Sequence, residues 1–550
     1  MGKITTLFRE GRHEELWQLC CGFLDLSLED AMSIQKRLLL EQMELLSRCE
    51  LGRVVMKGAN PTTVEEFRAR VPLTTYADYA PYLLERRADA LPAKPLTWSR
   101  TSGRSGEFPA KWVPVTAGQY EELGVVVFGI MLLAGCRRKG EVRVKMHDKF
   151  LYTMAPAPYF SGVSGRRVAD EEVFDFLPPF EEAEKMEFTD RIATGFEMAL
   201  FEGLDWFGGL TSVLAAVGEQ FSSGGGKLDM KPFLKKPSRL LKLLSGVTKA
   251  KLGRRALLPR DIWSVKGIMA GGADTPIFRD KIVRMWGVQP LETYGCTEAG
   301  MLALQTWDYK GMTFIPHLNF LEFIPEKESV KLREDPAYRP RILLLDEVEP
   351  GQNYELIITN FYGGPLVRYR LGDMVWITAL RNEDLGIDMP QVEFFSRIDD
   401  IVDLAGFTRL TEKIIWQAVE NLGAPYVDWA ARKEMREEPV LHVYLELGKD
   451  ADLSSKDVTS RLHEGLMALD TNYADLVSMT RLKPLRVTLL PSGAFQAYMK
   501  RQQAQGADLA HLKIPHINPT DGMVDFLLSG GKAPPVPTPG ARVPRPEAVS

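Results

Sequence analysis

Cysteine is scarce in this chain, and its few thiols are not arranged for a purpose. The 550 residues hold five, Cys20, Cys21, Cys49, Cys136 and Cys296, with no C-x-x-C pair and no dense framework. That excludes a disulfide-stapled scaffold and fits a reducing compartment. An apolar signal segment is missing too: the chain opens MGKITTLFREGRHEELW, so a cytoplasmic protein is expected. Gly2 and Thr6 fit the loose myristoylation pattern, which is permissive enough for chance to satisfy it. Charge of one sign is also lacking. Sixty-eight basic against 73 acidic residues leave no net drive toward nucleic acid or an anionic membrane, so neither is expected as a partner, although a local basic patch stays open. The longest uncharged run, Leu123 to Cys136, is closed by Arg137, Arg138 and Lys139 and is too short to span a bilayer. It predicts a buried helix.

A chain of this length exceeds one growing core, so a large domain and a smaller one are expected. Residues 5–90 read as mostly helical, with an apolar stripe from Leu38, Leu39, Leu40, Met43, Leu45 and Leu46. Between about 140 and 400, short β-prone runs such as YELIITN and MVWITAL alternate with helical text, which predicts an α/β domain with mixed sheets. After residue 400, LHVYLEL, a helical stretch from Ser454 to Leu469 and PLRVTLL form a small α/β unit. The expected division is 1–398, 399–530 and a proline-rich, disordered tail at 531–550, with Asp399 or Asp400 of the RIDD segment as a hinge.

Four stretches carry chemistry. WSRTSGRSGEFPAKWVPVT at 98–116 combines glycines with short hydroxyls and three cations, which suits an anion cradle but equally a solvated turn. Its spacing matches neither the P-loop nor the Rossmann fingerprint. In IMAGGADTP at 268–276, glycines after apolar residues permit a flat ligand to approach the backbone, and Tyr294 of LETYGCTEAG at 291–300 suits the same ligand. Glu298 and, in LVRYRLGD at 366–373, Asp373 follow β-prone text, where strand ends aim carboxylates into a crevice. Each also has a plainer reading: Glu298 starts a helix and Asp373 closes a turn.

TSGRSGEFPAK, GGADTP, YGCTEAG, YRLGD and RIDDIVDLAGFTRLTEKI stand in the order used by the adenylate-forming superfamily of acyl-CoA synthetases, adenylation domains and luciferases. Within it, TTVEEFRARVPLTTYADYAPYLLER, TFIPHLNFLEFIPE and ITNFYGGPLVRYRLGD resemble the GH3 family of acyl-acid-amido synthetases, bacterial members included, over roughly residues 15–520. Two departures stand out. Arg104 replaces the family's usual Thr or Ser and the spacing to Lys111 is about one residue longer, while YGCTE is closer to the general superfamily form.

The resemblance implies the fold of that superfamily, with a large adenylate-forming domain and a small C-terminal lid. It implies ATP and Mg²⁺ as cofactors, and as substrates a small carboxylic acid with an amine or amino acid. Thr101, Ser102, Gly103, Ser105, Gly106 and Lys111 would hold the β- and γ-phosphates. Tyr294 and the Gly271, Gly272, Ala273 backbone would hold adenine, with Gly295, Cys296 and Thr297 counted in the nucleotide site. Asp373 would accept from the ribose hydroxyls, and Arg397 would reach ribose or phosphate. Glu298 would bind Mg²⁺. Glu298, Arg104 and Lys513, the last in AHLKIPHI, would act on the charge that develops during adenylation. Cys296 reads as a small residue, with no histidine beside it to make it a nucleophile. Trp206, Phe207 and Pro316 to Phe320 are candidates for an acyl pocket or equally for core. The leading expectation is an ATP-dependent synthetase that joins an acid to an amine. Transfer to coenzyme A or a carrier thiol is the alternative, and a non-enzymatic binding protein on a decayed scaffold is a third.

Overall fold

The computed structural model describes residues 2–101, 110–222, 237–271, 275–335, 337–398, 400–404, 408–435, 439–480, 484–504 and 514–531. The chain divides into two compact units, the first formed by residues 1–398 and the second mainly by 399–507 with the segment from 512 on. The expected tail lies, apart from residue 531, outside the described residues.

The first unit is built on one eleven-stranded sheet whose two halves differ in direction. Phe174–Leu177, Asp148–Tyr152, Trp206–Gly209, Gly267–Gly271 and Pro290–Cys296 run parallel to their neighbours. From Pro290–Cys296 onward every pairing is antiparallel, through Gly300–Gln305, Met312–Phe314, Gln391–Arg397, Tyr369–Ala379, Gln352–Asn360 and Asn319–Pro325. The two central parallel strands, WFGG and GIMAG, read as apolar runs because both faces are covered. Trp206 and Phe207 point to opposite faces and are fully buried in two different cores. They are therefore packing residues, and the Trp206 indole donates to Asp148 Oδ2 at 2.8 Å. Phe320 is equally buried, edge-on to Phe67 at 5.8 Å.

The N-terminal helical text forms six α-helices and two short 3-10 helices. In Leu28–Ser47, capped by Ser27, the residues Leu38, Leu39, Met43 and Leu46 are buried, whereas Leu40 lies on the outer face. The apolar run predicted to be a buried helix extends further N-terminally than its uncharged part, as Ala117–Gly135, started by a reciprocal cap between Thr116 and Gln119. It is the one described helix long and apolar enough to cross a membrane, and most of it is buried inside the fold. Gly129 lets it approach the Cys20 carbonyl: a Cβ there would stand only 2.5 Å from that oxygen.

The second unit holds a three-stranded sheet in which Pro439–Leu447 pairs antiparallel with Tyr426–Met435 and parallel with Leu485–Leu489. The parallel pairing requires a crossover. It is made by Ser455–Leu469, whose N-terminus is closed by a capping box of Ser454 and Asp457, and by Thr471–Thr480. Val458, Leu462 and Leu466 bury the crossover against Trp429, Val443 and Leu445. This α/β character, in both units, is the one expected from the alternation of the sequence.

One buried ion pair anchors the antiparallel half. Arg368, 4 % exposed, donates to both oxygens of Glu322 at 3.0 and 2.9 Å and to the carbonyls of Arg68 and Val71 at 2.9 and 2.7 Å. Glu322→Gln leaves that guanidinium without its counter-charge, a loss of about 3–5 kcal/mol. Urea denaturation is expected to show the transition of the first unit at distinctly lower denaturant in this variant; an unshifted transition would mean that the pair contributes nothing net.

Candidate active site

The site gathers where the sheet changes direction. Pro290–Cys296 is the last parallel strand and the first antiparallel one, so its carboxyl end opens onto a place where neighbouring connections diverge. Tyr294, Gly295 and Cys296 lie on that end, and Gly271 ends the neighbouring strand opposite Thr293. Gly272 and Ala273 lie outside the described residues.

Thr297, Glu298 and Ala299 form the tight turn into the next strand, closed by Gly300 at φ +71°. Glu298 thus stands at a hairpin tip, which replaces the plainer reading of a helix start. Two asparagines hold this turn from below. The Asn360 amide donates to the Glu298 carbonyl at 3.0 Å and to Asn319 Oδ1 at 2.9 Å, and Asn319 donates to the Ala299 carbonyl at 2.8 Å. Both asparagines are buried. Sequence singles out neither for this role: Asn319 falls only within the Pro316 to Phe320 stretch read as pocket or core, and Asn360 only within a family-like stretch.

The glycine-rich segment enters as a hairpin of Pro95–Arg100 with Trp112–Thr116. Thr101 and Lys111 close its stem: the Thr101 amide donates to the Lys111 carbonyl at 2.9 Å, and the Lys111 amide donates to Thr101 Oγ1 at 3.0 Å. Ser102, Gly103, Arg104, Ser105 and Gly106 lie outside the described residues. The Lys111 ammonium is 3.6 Å from a Glu298 carboxylate oxygen and donates to the Tyr369 hydroxyl at 3.3 Å. It also stands 5.5 Å from the centre of the Tyr76 ring. A cation from the loop stem and the carboxylate of the hairpin tip therefore share one place.

Asp373 lies within the strand Tyr369–Ala379, directly across from Arg397 in the register. Its Oδ1 accepts from Arg397 Nε at 3.2 Å and its Oδ2 from the Tyr294 hydroxyl at 2.8 Å. Burial pushes the Asp373 carboxyl above its ordinary range and the charge of Glu298 adds to that, against the opposing pull of Arg397 and Tyr294. Tyr294 joins the two strands, its ring tilted against Phe394 at 5.6 Å, and burial beside Asp373 holds its phenol protonated. Burial, followed by the charges of Glu298 and Asp373, pushes the Cys296 thiol well above its ordinary value. Among the described residues no group of three or more histidine, cysteine or carboxylate side chains is placed to hold a metal. Lys513 and Asp399 lie outside the described residues.

The fold itself has solved counterparts. An acyl acid amido synthetase, AtGH3.15 in complex with 2,4-DB, superimposes with a TM-score of 0.64 at 17% identity, over 94% of this chain and 96% of that one. A 2-hydroxyisobutyryl-CoA ligase in its postadenylation state follows at 0.58 and 14% identity, over 86% and 92%. At such identities the likeness is one of fold alone. Sequence models of the GH3 family N-terminal domain at 20–159, central domain at 312–397 and C-terminal domain at 411–521 match in order and together span more than half of the chain. The chain belongs to the GH3 family. Among curated relatives, the jasmonoyl–L-amino acid synthetase GH3.5 of Oryza sativa subsp. japonica is 29% identical over 287 residues, covering 48% of this chain and 47% of that protein. The indole-3-acetic acid-amido synthetase GH3.3 of Arabidopsis thaliana is 26% identical over 220 residues, 37% of this chain and 34% of its own. The matched stretch is thus about half the length of the first of these relatives and a third of the second.

The thiol chemistry gives a direct check on Cys296. A thiol held protonated is a poor nucleophile, so iodoacetamide at neutral pH is expected to leave Cys296 unmodified by peptide mass mapping. Rapid, selective alkylation there would overturn the reading of Cys296 as a small motif residue that is not a nucleophile.

Proposed function

We propose that this protein is an ATP-dependent acyl-acid-amido synthetase. The reading rests on one observation above others: in a GH3 family chain, Lys111 of the glycine-rich stem meets Glu298 of the hairpin tip at the change of sheet direction, beside Asp373. In this reading the acid's carboxylate oxygen bonds to the α-phosphorus of ATP and the bond to pyrophosphate breaks. An amine then attacks the acyl carbonyl, and AMP leaves with the electron pair of the broken C–O bond. The relatives named for jasmonoyl-amino acid and indole-3-acetic acid-amido synthesis support an acid and an amino acid as the substrate classes.

The residues fit the group that the reaction handles. Lys111, beside the Glu298 carboxylate and the Tyr369 hydroxyl, supplies a positive charge to phosphate oxygens, and Thr101 fixes the backbone that presents it. Asp373 accepts one bond on each oxygen, and a carboxylate has about four acceptor positions, so two remain for vicinal ribose hydroxyls. A single carboxylate, Glu298, suits Mg²⁺, which keeps water and substrate phosphate as its other ligands and neutralises phosphate charge when bound. The Asn319 and Asn360 amides fix the turn and so the direction of that carboxylate. Arg104 is assigned to the phosphates and Lys513 to the first half-reaction on the resemblance of their segments, with residues 399–530 as the lid domain.

Incubation with ATP, Mg²⁺, a library of acids and either amino acids or coenzyme A, read by mass, tests this. Acid-dependent AMP and pyrophosphate with an amide product is the expected outcome. A thioester product would select the thiol-transfer alternative, and no acid-dependent turnover would remove the enzyme reading. Asp373→Ala is expected to weaken ATP binding by roughly 2–3 kcal/mol, measured by calorimetry; unchanged affinity would take Asp373 out of the nucleotide site. In the same assay Glu298→Gln is expected to slow pyrophosphate release by about 10²-fold with ATP affinity less affected, because its charge matters most where phosphate charge develops.

A further inference from the structure

The near balance of charge over the whole chain hides one lopsided stretch. From Pro237 to Arg260 there are seven basic residues and no acidic one. The first part of this stretch forms the helix Pro237–Leu252, which belongs to the first unit. Its inner side is firmly held. Leu243 is buried in the core that contains Ile262, Trp263 and Trp286, and Leu240 and Val247 pack against that core. Gly246 lets the helix close on the chain that follows it, since a Cβ there would stand 2.7 Å from the Asp261 carbonyl oxygen.

The outer side has the opposite character. Leu241, Leu244 and Leu252 are 67 %, 48 % and 81 % exposed. With Thr248 between them they are spaced by three, four and four residues, so they form a single stripe along the helix. The Thr248 hydroxyl donates to the Leu244 carbonyl at 2.7 Å and is thereby used within the helix. From Leu241 to Leu252 the stripe runs about 16 Å. Lysines border it on both sides: at about 100° per residue, Lys242 and Lys249 fall on one flank and Lys251 on the other. All three are exposed.

Leucine left in water contributes nothing to folding, so the stripe calls for an apolar partner and its borders call for an anionic one. A nucleic acid would engage the lysines and leave the leucines wet. An acidic protein would have to supply a groove cut to the shape of the stripe. A lipid surface answers both features at once, because acyl chains receive the leucines while headgroup phosphates meet ammonium groups whose apolar stems lie along the boundary. Cations on both flanks of a straight, narrow apolar stripe suit a flat, layered surface.

We infer that Pro237–Leu252 is an interfacial helix by which the protein docks on an anionic lipid bilayer without spanning it. Leu241, Leu244 and Leu252 enter the upper acyl layer, and Lys242, Lys249 and Lys251 rest on the headgroups. Docking of this kind needs neither ATP nor an acid, and so stands or falls separately from the synthetase reading.

The test is flotation of the full-length protein with vesicles of phosphatidylcholine alone or of phosphatidylcholine mixed with phosphatidylglycerol. The protein is expected to float with the anionic vesicles and not with the neutral ones, and added salt is expected to weaken binding. Leu241→Ser with Leu252→Ser, both on the outer face, is expected to lose about tenfold or more in vesicle partitioning. Lys249→Gln with Lys251→Gln is expected to lose about thirtyfold. Thermal unfolding of both variants is expected to match the wild type, which separates lost docking from lost folding. Absence of flotation with anionic vesicles overturns the inference, as does flotation that the serine pair leaves unchanged. Binding of RNA in place of vesicles, or leucine-dependent self-association seen by light scattering, would give the stripe a different occupant and overturn it equally.

Discussion

The Arg368 guanidinium is the fixed point of the large unit. It is buried, its residue sits at φ +43°, and its partners come from two other pieces of chain. Glu322 supplies the counter-charge from the strand Asn319–Pro325, while Arg68 and Val71 supply carbonyls from the helical N-terminal region. A charge taken out of water at this depth is tolerable only with such saturation. Its consequence is positional, because the next residues are Tyr369, which accepts from Lys111, and, four further on, Asp373. Thr74 extends the junction by exchanging backbone hydrogen bonds with Arg368 and Arg370. The helical layer, the antiparallel half of the sheet and the strand that bears the candidate site are thereby set by one side chain.

The electrostatics of the site follow from pairing each acid with its own cation. Glu298 has Lys111 and Asp373 has Arg397. The two carboxylates still feel one another, since the charge of Glu298 raises the Asp373 carboxyl. Tyr294 belongs to the Asp373 pair through its hydroxyl and to the Glu298 hairpin through its strand. A phenol held protonated can only donate to the ionised carboxylate, so it restrains Asp373 without adding charge. Removing any one member leaves a charge or a dipole in a poorly hydrated place.

Much of this was legible in the sequence, for reasons that are local. Helix Ala117–Gly135 shows as an uncharged run, and the crossover of the second unit shows as two β-prone runs around a helical one. Glu298, Asp373, Tyr294 and Lys111 stand in ordered short motifs, so the text that names them also names their neighbours. What escaped is long-range. Asparagine reads as a turn residue, and nothing near Asn319 or Asn360 announces that their amides meet under a turn near residue 298. Trp206 and Phe207 were open between pocket and core because alternation along a strand is the same for both, and only the covering of both sheet faces by helices settles them as core.

A buried histidine of the second unit, His516, shows the same limit from the other side, with Nδ1 2.7 Å from Glu412 Oε1 and Nε2 2.8 Å from Asp428 Oδ1. Glu412, Asp428 and His516 come from three separate stretches, and each alone is unremarkable: an acid in a first helical turn, an acid on a strand, a histidine after a proline. Their meaning arises from geometry, because imidazole between two carboxylates is a cation in a place where burial alone would make it neutral. Protonation there favours folding below the ordinary histidine pKa, and that contribution is lost as pH rises through the folded value. A sequence motif fixes what a residue can bind, whereas the proton it carries is set by partners that only the folded chain brings to it.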